Sequence, residues 1–233
     1  MKIYAISDLH LCLSGAKPMD IFGTSWENYL DIIKDDWNSK VSDDDYVLLA
    51  GDLSWAMKLD EATEDLKYLN SLKGNKIIIR GNHDYWWKSI SNVRLQIPQK
   101  MYALQNDAIK VENYIFCGTR GWNVPEKNKP YSLEDQKIYS REQIRLKLAL
   151  SSAKLLKTSE DDKIICLIHF PPFNSELQSS EFTKLMEEYG VDKVIYGHLH
   201  GKASRSINYL KMSGVEYFLT SCDKVDNKLV EIF

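Results

Sequence analysis

Histidines and acids stand in five short clusters whose residue types can bind metal ions. In chain order the clusters are Asp8-Leu9-His10, Gly51-Asp52, Gly81-Asn82-His83-Asp84, His169, and Gly197-His198-Leu199-His200. Imidazole suits zinc, iron, nickel or copper, whereas carboxylate oxygen suits magnesium or manganese. All five histidines of the chain lie in these clusters. The sequence therefore predicts a site built around metal.

The set of donors is too large for one tetrahedral ion. Two aspartates, one asparagine and four histidines are the candidate ligands: Asp8, His10, Asp52, Asn82, His169, His198 and His200. A tetrahedral zinc takes four protein ligands, or three and a water. Seven donors that share one bridging carboxylate give each of two ions four ligands. Two ions roughly 3.5–4 Å apart are an arrangement of phosphatases and nucleases.

Apolar runs of strand length precede the clusters and indicate how they meet. The predicted strands are residues 3–6, 46–50, 77–79, 108–111, 114–117, 164–168, 194–196, 217–219 and 229–233, with 108–117 forming a hairpin. In a mostly parallel sheet, the carboxyl ends of the strands share one edge, where ligands bind. We also expect Asp8 and His10, and His198 and His200, to face one way, because i and i+2 do so in an extended segment. The glycines before Asp52, Asn82 and His198 predict tight turns that aim these ligands inward.

Helical patterns alternate with these strands. The predicted helices are residues 26–37, 61–72, 140–156 and 182–189. Thr24 and Glu27 predict a capping box for the first of them, and the third has Ile144, Leu148 and Leu155 along one face. Residues 119–138 are rich in Asn, Lys, Pro and Glu and predict a long surface loop.

Composition narrows the class of protein. A chain of 233 residues with 44% hydrophobic content predicts one large domain spanning residues 1–233. The net charge of −3 gives no basic footprint for nucleic acid, and no apolar run approaches the roughly 20 residues of a membrane span. Four cysteines lie far apart without C-x-x-C spacing, which predicts free, mostly buried thiols. The N-terminus is too short for a signal sequence before Asp8, so we expect a cytoplasmic protein.

The ordered clusters resemble the calcineurin-like metallophosphoesterases, whose pattern is D-x-H, G-D, G-N-H-[DE], a lone H, and G-H-x-H. All five blocks occur here in that order, between Asp8 and His200. The resemblance implies an α/β fold, a four-layer sandwich of two facing mixed β-sheets flanked by helices. It implies that one ion is held by Asp8, His10 and His200, that the other is held by Asn82, His169 and His198, and that Asp52 bridges them.

The same resemblance implies hydrolysis of a phosphate ester by a hydroxide that bridges two divalent or trivalent ions, with manganese, iron and zinc all compatible with such ligands. His83 has no ligand role in the family pattern. It is expected to lie over the leaving group, as a proton donor or a source of stabilising charge. Asp84 is expected to fix either the His83 ring or its loop.

One departure concerns the stretch after Asp52. Phosphoprotein phosphatases of this superfamily read G-D-x-x-D-R-G, but here Trp55 replaces the second Asp and Ala56 replaces the Arg. This difference counts against a protein phosphatase and leaves His83 without an evident partner. The G-N-H-D ending is shared with relatives that act on phosphodiesters, so we expect a small-molecule phosphoester substrate, diesters included.

Two aromatic or basic features have open interpretations. Arg120 precedes Gly121 and Trp122, and it is either a grip for a phosphate oxygen or part of a surface salt bridge. The run Tyr85-Trp86-Trp87-Lys88 either stacks on a nucleobase or packs beneath the site, and packing is favoured.

The favoured function is a dinuclear metal-dependent phosphoesterase. The alternative is a non-catalytic metal-binding scaffold of the same fold, and a nuclease or a phosphomonoesterase also remains open. Scaffold relatives lose ligands or the histidine after Asn82, whereas here every ligand and His83 are present. The sequence therefore favours an enzyme.

Overall fold

Two mixed β-sheets form the centre of the protein in this computed structural model, which describes residues 1–15, 17–127, 131–201 and 206–233. The strands are β1 (Ile3–Ala5), β2 (Tyr46–Leu49), β3 (Asn75–Ile78), β4 (Met101–Ala103), β5 (Asp107–Val111), β6 (Tyr114–Thr119), β7 (Lys163–Ile168), β8 (Lys193–Tyr196), β9 (Tyr209–Met212), β10 (Val215–Leu219) and β11 (Val230–Glu231). The helices are α1 (Tyr29–Lys40), α2 (Thr63–Ser71), α3 (Ile90–Gln96), α4 (Leu133–Leu156) and α5 (Glu181–Glu188).

The strand order brings the carboxyl ends of the inner strands to one edge of each sheet. The first sheet has the order β11-β1-β2-β3-β4, in which β1 to β4 are parallel and β11 is antiparallel to β1. The second has the order β5-β6-β7-β8-β10-β9, in which β6, β7, β8 and β10 are parallel and the edge strands β5 and β9 are antiparallel. The parallel strands are apolar and buried, as expected for strands covered on both faces.

The two sheets face each other across a fully buried apolar layer. Ile77 and Ile79 from the first sheet meet Phe116, Ile165 and Leu167 from the second in this layer. Helices α1 to α3 cover the outer face of the first sheet, and α4 and α5 cover the outer face of the second. The predicted four-layer α/β sandwich is therefore confirmed.

Helix α1 begins later than predicted. Thr24–Trp26 forms a 3-10 turn instead, Glu27 is extended, and Asn28 adopts a left-handed conformation with φ of 53°. The predicted capping box at Thr24 and Glu27 is therefore wrong, and no side chain in the described part of the structure caps α1. Trp37 is fully buried, and its indole N–H donates to the Lys73 carbonyl at 2.9 Å. This bond ties α1 to the loop after α2.

Helix α3 was not predicted, and among the predicted helices α4 differs most from its prediction. The Ser132 hydroxyl accepts a hydrogen bond from the backbone N–H of Asp135 at 3.0 Å, so the helix begins at Leu133 and the connection from β6 is shorter than the predicted loop at 119–138. Residues 128–130 of that loop lie outside the described part. The predicted apolar face is also wrong, because Ile144, Leu148 and Leu155 are exposed. The helix instead packs through Leu146, Ala149, Leu150 and Ala153.

Other features of the sequence are found where expected. Cys117, Cys166 and Cys222 are buried free thiols, which confirms the prediction for these residues. No helix within the described ranges is both long enough and apolar enough to cross a membrane.

Candidate metal centre

Loops at the carboxyl ends of five parallel strands converge on one site. Asp8 follows β1, Asp52 follows β2 and Asn82 follows β3 in the first sheet. His169 directly follows β7 and His198 comes two residues after β8 in the second sheet. The shared edge predicted from the sequence therefore exists, and it is formed by both sheets together.

All seven candidate ligands meet in this place. Ligand atoms of Asp8, His10 and His200 lie within 4.8 Å of one another, and so do those of Asp8, Asp52 and His169. The remaining two ligands, Asn82 and His198, lie beside His169. Oδ1 of Asn82 is 2.7 Å from Nε2 of His169 and 2.9 Å from Nδ1 of His198.

Asp52 lies between the two groups of histidines. Its Oδ2 atom is 3.8 Å from Nε2 of His10 and 3.4 Å from Nε2 of His169. The carboxylate is almost fully buried, and its Oδ1 atom accepts a hydrogen bond from the backbone N–H of His83 at 2.7 Å. One oxygen is thus fixed by the backbone while the other faces both groups of ligands.

The backbone at several ligands has a conformation that side chains rarely adopt. Asp8, His10, Asp52 and His198 have φ values of 59°, 47°, 53° and 72°. The extended geometry predicted for Asp8 with His10 and for His198 with His200 is therefore wrong, and left-handed turns at Asp8, His10 and His198 aim side chains inward. Strained conformations of this kind persist where the surrounding structure enforces them, and they cluster at functional sites.

The glycines in the motifs are required mainly by close packing. Only Gly51 among the three has a positive φ, of 95°, and a Cβ there would lie 2.6 Å from the backbone nitrogen of Gly81. A Cβ at Gly81 would collide with the carboxylate of Asp52, and one at Gly197 with the carboxylate of Asp8. The predicted turn geometry thus holds at Gly51, whereas the other two glycines make room for ligand oxygens.

Hydrogen bonds behind the ligands fix their orientation. Nδ1 of His169 lies 2.8 Å from the Ala50 carbonyl, and Nδ1 of His200 lies 2.8 Å from a carboxylate oxygen of Asp223. The Ser221 hydroxyl donates to Oδ2 of Asp8 at 2.8 Å. Histidines that bind metal commonly donate their other ring N–H to a carbonyl or a carboxylate in this way.

Asp223 and Ser221 were missed in the sequence. They belong to the polar run Thr220-Ser221-Cys222-Asp223, which directly follows the strand β10. This run could have indicated them in the sequence, because, like the other clusters, it follows the carboxyl end of a parallel strand.

The hydrogen-bond pattern tests whether metal ions fit. With its Nδ1–H donated to Ala50, a neutral His169 has only an acceptor lone pair at Nε2, and this lone pair faces oxygens of Asn82 and Asp52. In the same way, Nε2 of His200 faces Oδ1 of Asp8 at 3.6 Å. When these rings are neutral, the converging acceptors have no donor between them, and either a proton on each ring or a bound cation must lie there, so the residues fit metal ions.

The electrostatics of the histidines lead to the same requirement. Burial lowers the pKa of His10 and of His198 to about 4, so both rings are neutral and able to bind metal at pH 7. Burial also opposes the charged form of His169, but Asp52 and Asp8 outweigh it and raise the pKa of His169 to about 9. For His200, burial is outweighed by Asp223 and Asp8, which raise its pKa to about 10.

The two acids stay ionised for a related reason. Burial disfavours their charged forms, but contacts with His200 and His169 lower the pKa of Asp8, and His169 lowers the pKa of Asp52. Buried carboxylates of this kind need nearby positive charge. Two protonated histidines supply it in the metal-free chain, and bound cations would replace those protons.

His83 lies beside the ligands and is held by aromatic packing. Its ring centroid is 5.6 Å from that of His10 and 4.6 Å from that of Trp55. Its Nδ1 atom is buried and has no hydrogen-bond partner among the described residues. Trp55 also stacks on His10, with ring centroids 4.8 Å apart, so it packs against both rings.

Asp84 fixes the loops of the site. Its carboxylate is fully buried and accepts five hydrogen bonds, from the backbone N–H groups of Asp52, Leu53, Ser54 and Gly81 and from the indole of Trp86. The loop alternative predicted for Asp84 thus agrees with its hydrogen bonds. Trp86 and Trp87 are buried, which confirms that they pack beneath the site.

Arg120 adjoins the site through its backbone. Its carbonyl accepts hydrogen bonds from the N–H groups of His169 at 3.0 Å and Phe170 at 3.2 Å. Its guanidinium lies 3.8 Å from the buried carboxylate of Glu142 and 5.1 Å from the centre of the Trp122 ring. Arg120 thus pairs with an acid, as the salt-bridge alternative predicted. The pair is not at the surface, however, because Glu142 is fully buried.

A cavity of about 380 Å³ borders His198. Its lining is largely apolar and includes Val124, Phe173, Leu177, Tyr196, Leu199 and Ile207. Ligand pockets in proteins typically measure roughly 300–1,000 Å³ and combine apolar walls with few polar groups. The cavity thus has room for the organic part of a small molecule beside the ligands.

Comparisons with known proteins give the family and the fold of the chain. A family model described as calcineurin-like phosphoesterase matches residues 1–202. The fold is similar to TT1561 of Thermus thermophilus, with a TM-score of 0.55 and 15% identity, covering 99% of this chain and 97% of that one. It is also similar to AQ665, a protein of unknown function from Aquifex aeolicus, with a TM-score of 0.51 and 14% identity, covering 99% and 95% of the two chains. No curated protein matches the sequence.

Proposed function

Since the chain belongs to the calcineurin-like phosphoesterase family, we propose that it hydrolyses phosphate esters of small molecules with two metal ions. In this proposal Asp8, His10 and His200 hold one ion. The second ion is held by Asn82, His169 and His198, with Asp52 shared. Manganese, iron and zinc all suit such mixed ligands.

The position of Asp52 carries the proposal. One of its oxygens faces a histidine from each group, at 3.8 Å and 3.4 Å, which is the position that a shared ligand needs. Two bound ions would supply Lewis-acid charge, which activates water and neutralises the phosphoryl oxygens. A single-ion site would not need seven donors.

His83 is proposed as the catalytic residue that acts on the leaving group. It is not needed as a ligand, it lies next to His10, and its Nδ1 is not used within the described residues. A histidine can donate a proton to a leaving oxygen near neutral pH. Asp84 acts indirectly, by holding the loops that carry His83 and Asp52.

The cavity beside His198 supports a small-molecule substrate, because it offers apolar walls to the organic group of an ester. Phosphodiesters are favoured over monoesters because the G-N-H-D motif is shared with relatives that act on phosphodiesters. Val124 lines this cavity, whereas the guanidinium of Arg120 lines a separate cavity beside Glu142, from which Arg120 is proposed to bind a phosphate of the substrate.

The test is hydrolysis of bis-p-nitrophenyl phosphate and p-nitrophenyl phosphate by chelated protein reloaded separately with manganese, iron or zinc. We expect metal-dependent turnover, faster on the diester, and no turnover by Asp52→Asn. The absence of turnover in a protein that binds two ions per chain would count against the enzyme and favour the scaffold alternative.

A further inference from the structure

Four of the six arginines of the chain line one small cavity away from the cavity beside His198. We call it the basic pocket, and its charged residues are Arg80, Lys88, Arg120, Arg141, Arg145 and Glu142. Its volume is about 270 Å³, slightly below the range of roughly 300–1,000 Å³ that is typical for drug-sized ligands. The basic pocket therefore suits a small group.

Positive charge in the basic pocket greatly exceeds negative charge. Glu142 is the acid among its lining residues, and it is fully buried with one oxygen 2.6 Å from Nη1 of Arg145. Arg120 is the second cation within reach of Glu142, at 3.8 Å. Among the lining residues that the structure describes, five cationic side chains thus accompany one carboxylate, which leaves four positive charges in excess.

Three of these cations have no acidic partner. Arg80, Lys88 and Arg141 form no ion pair within the ranges that the structure describes. Nε of Arg80 is buried and lacks a hydrogen-bond partner among the same residues. An unpaired buried donor costs free energy unless a ligand or water satisfies it.

The cations are also close enough to affect one another. Burial lowers the pKa of Arg120, and Glu142 opposes this shift. The charges of Arg80, Arg145 and Arg141 lower the pKa of Arg120 further, although a guanidinium normally keeps its proton. Repulsion between these like charges costs free energy, and a bound anion would offset it.

The basic pocket adjoins the candidate metal centre through the chain itself. Arg80 lies two residues before the ligand Asn82 in the sequence, and Lys88 lies five residues after His83. The Arg120 carbonyl accepts the backbone N–H of His169. The guanidinium group matches the oxygens of phosphate geometrically, with parallel N–H donors.

We propose that the basic pocket binds a phosphate group other than the one that is hydrolysed. This group is carried either by the substrate or by a separate anion. The possibility that the substrate carries this group rests on the proposed function. Binding of phosphate to the basic pocket does not rest on it.

The first experiment measures binding by calorimetry, with inorganic phosphate and metal-free protein at low ionic strength. Arg141→Gln should weaken binding about tenfold, the effect of losing one charge-assisted hydrogen bond. The double variant Arg141→Gln with Lys88→Gln should weaken binding further. Both side chains are exposed and lack ion pairs among the described residues, so the fold should tolerate the changes, which the melting curve of each variant checks.

The matched control is Lys147→Gln, which removes an exposed cation from the same helix outside the basic pocket. It should bind phosphate as the unmodified protein does. The proposal is overturned by equal phosphate affinity in the unmodified protein and the double variant, or by no binding to either.

The second experiment identifies the source of the phosphate. Alkanediol bisphosphates of graded length are compared with the matching monophosphates as inhibitors of p-nitrophenyl phosphate hydrolysis. If the substrate carries the group, one length of bisphosphate should inhibit at least about tenfold better than its monophosphate, and Arg141→Gln should abolish that advantage.

If the bisphosphates have no advantage while Arg141→Gln still weakens phosphate binding, the source is a separate anion. Absence of hydrolysis in every protein would contradict the proposed function. The calorimetric result would then still decide whether the basic pocket binds phosphate.

Discussion

At the scale of single residues, the surroundings of His83 differ from those of an acid-paired catalytic histidine. Trp55 and Tyr85 pack against its ring, with centroids at 4.6 Å and 6.2 Å. Asp84, the nearest acid in the sequence, is occupied by five donors from the loops. The orientation of His83 therefore depends on aromatic packing, chiefly against Trp55.

His83→Ala should separate catalysis from metal binding. We expect both metals to remain, because the seven ligands meet without His83, and kcat to fall by ~10²–10⁴, the usual contribution of a general acid. Metal content and kcat are measured on the same samples. Loss of metal from His83→Ala would show that the ring is a ligand, contrary to its proposed role.

At the scale of elements, Asp84 joins the loop after β3 to the loop after β2. Asp84→Asn keeps the shape of the side chain but places an amide N–H₂ against backbone N–H donors. We expect a loss of about 1–3 kcal/mol in the free energy of unfolding for each donor left unpaired. Urea unfolding of metal-free protein measures this loss. Burial, together with the charge of Asp52, raises the pKa of Asp84 to about 6, so the measurement belongs at pH 8, where the carboxylate is ionised.

Asp44→Asn is the control for that measurement, since Asp44 is exposed in the turn before β2. It makes the same chemical change without a buried network and should leave the free energy of unfolding nearly unchanged. Equal stability of the two variants would show that the loops do not depend on the Asp84 carboxylate.

Strand β3 contains a buried lysine that predicts a dependence of stability on pH. Lys76 is fully buried, its ammonium donates to the carbonyls of Leu72 and Gly74, and burial, with Lys100, lowers its pKa to about 8. Between pH 8 and the unfolded value near 10.5, the unfolded chain holds the proton more strongly. The contribution of Lys76 to the free energy of unfolding should therefore rise with pH across this window.

Comparison of the unmodified protein with Lys76→Met isolates this effect from other titrating groups. The difference in the free energy of unfolding between the two should shift by about 2 kcal/mol in favour of the unmodified protein from pH 7.5 to 9.5. Urea unfolding at each pH measures it, with Lys147→Met as the exposed control. A difference that does not change with pH would mean that the pKa of Lys76 is not lowered by folding.

Elements with strong apolar runs were predictable from the sequence, and those formed by weaker signals were not. The buried strands β2, β7 and β8 stand where the apolar runs predict them. The edge strand β9 was missed because its residues are largely exposed and give no continuous run. For α4, larger aliphatic residues such as Leu148 stand on the exposed side, whereas Ala149 and Ala153 allow close packing on the buried side.

At the scale of the whole molecule, the site joins the two sheets. Asp8, Asp52 and Asn82 come from the first sheet, and His169 and His198 come from the second. The sequence alone predicted which residues would meet, because their types and order match the family pattern. It did not predict the left-handed turns or the support from Asp223, which depend on contacts between distant loops.

Removal of metal should therefore destabilise the whole chain. At a free-ion concentration roughly 100 times the dissociation constant, each ion adds about 2.7 kcal/mol, so chelation of both ions should lower the melting temperature by about 10–20 °C. Melting curves with and without manganese at fixed ionic strength measure the shift. His83→Ala should keep the full shift and Asp52→Asn should lose most of it. An equal shift in both variants would argue against Asp52 as a ligand.

The separation of the ligands along the chain also sets when the site can exist during synthesis. Asp8 accepts the backbone N–H of His198, a residue 190 positions later. At roughly 5–20 residues per second, a ribosome needs about 10–40 s to make the chain between them. Until the end of that time the N-terminal acids lack His198 and His200, which complete their ligand set. Metal uptake at the full site therefore cannot precede the synthesis of His200, the last ligand in chain order.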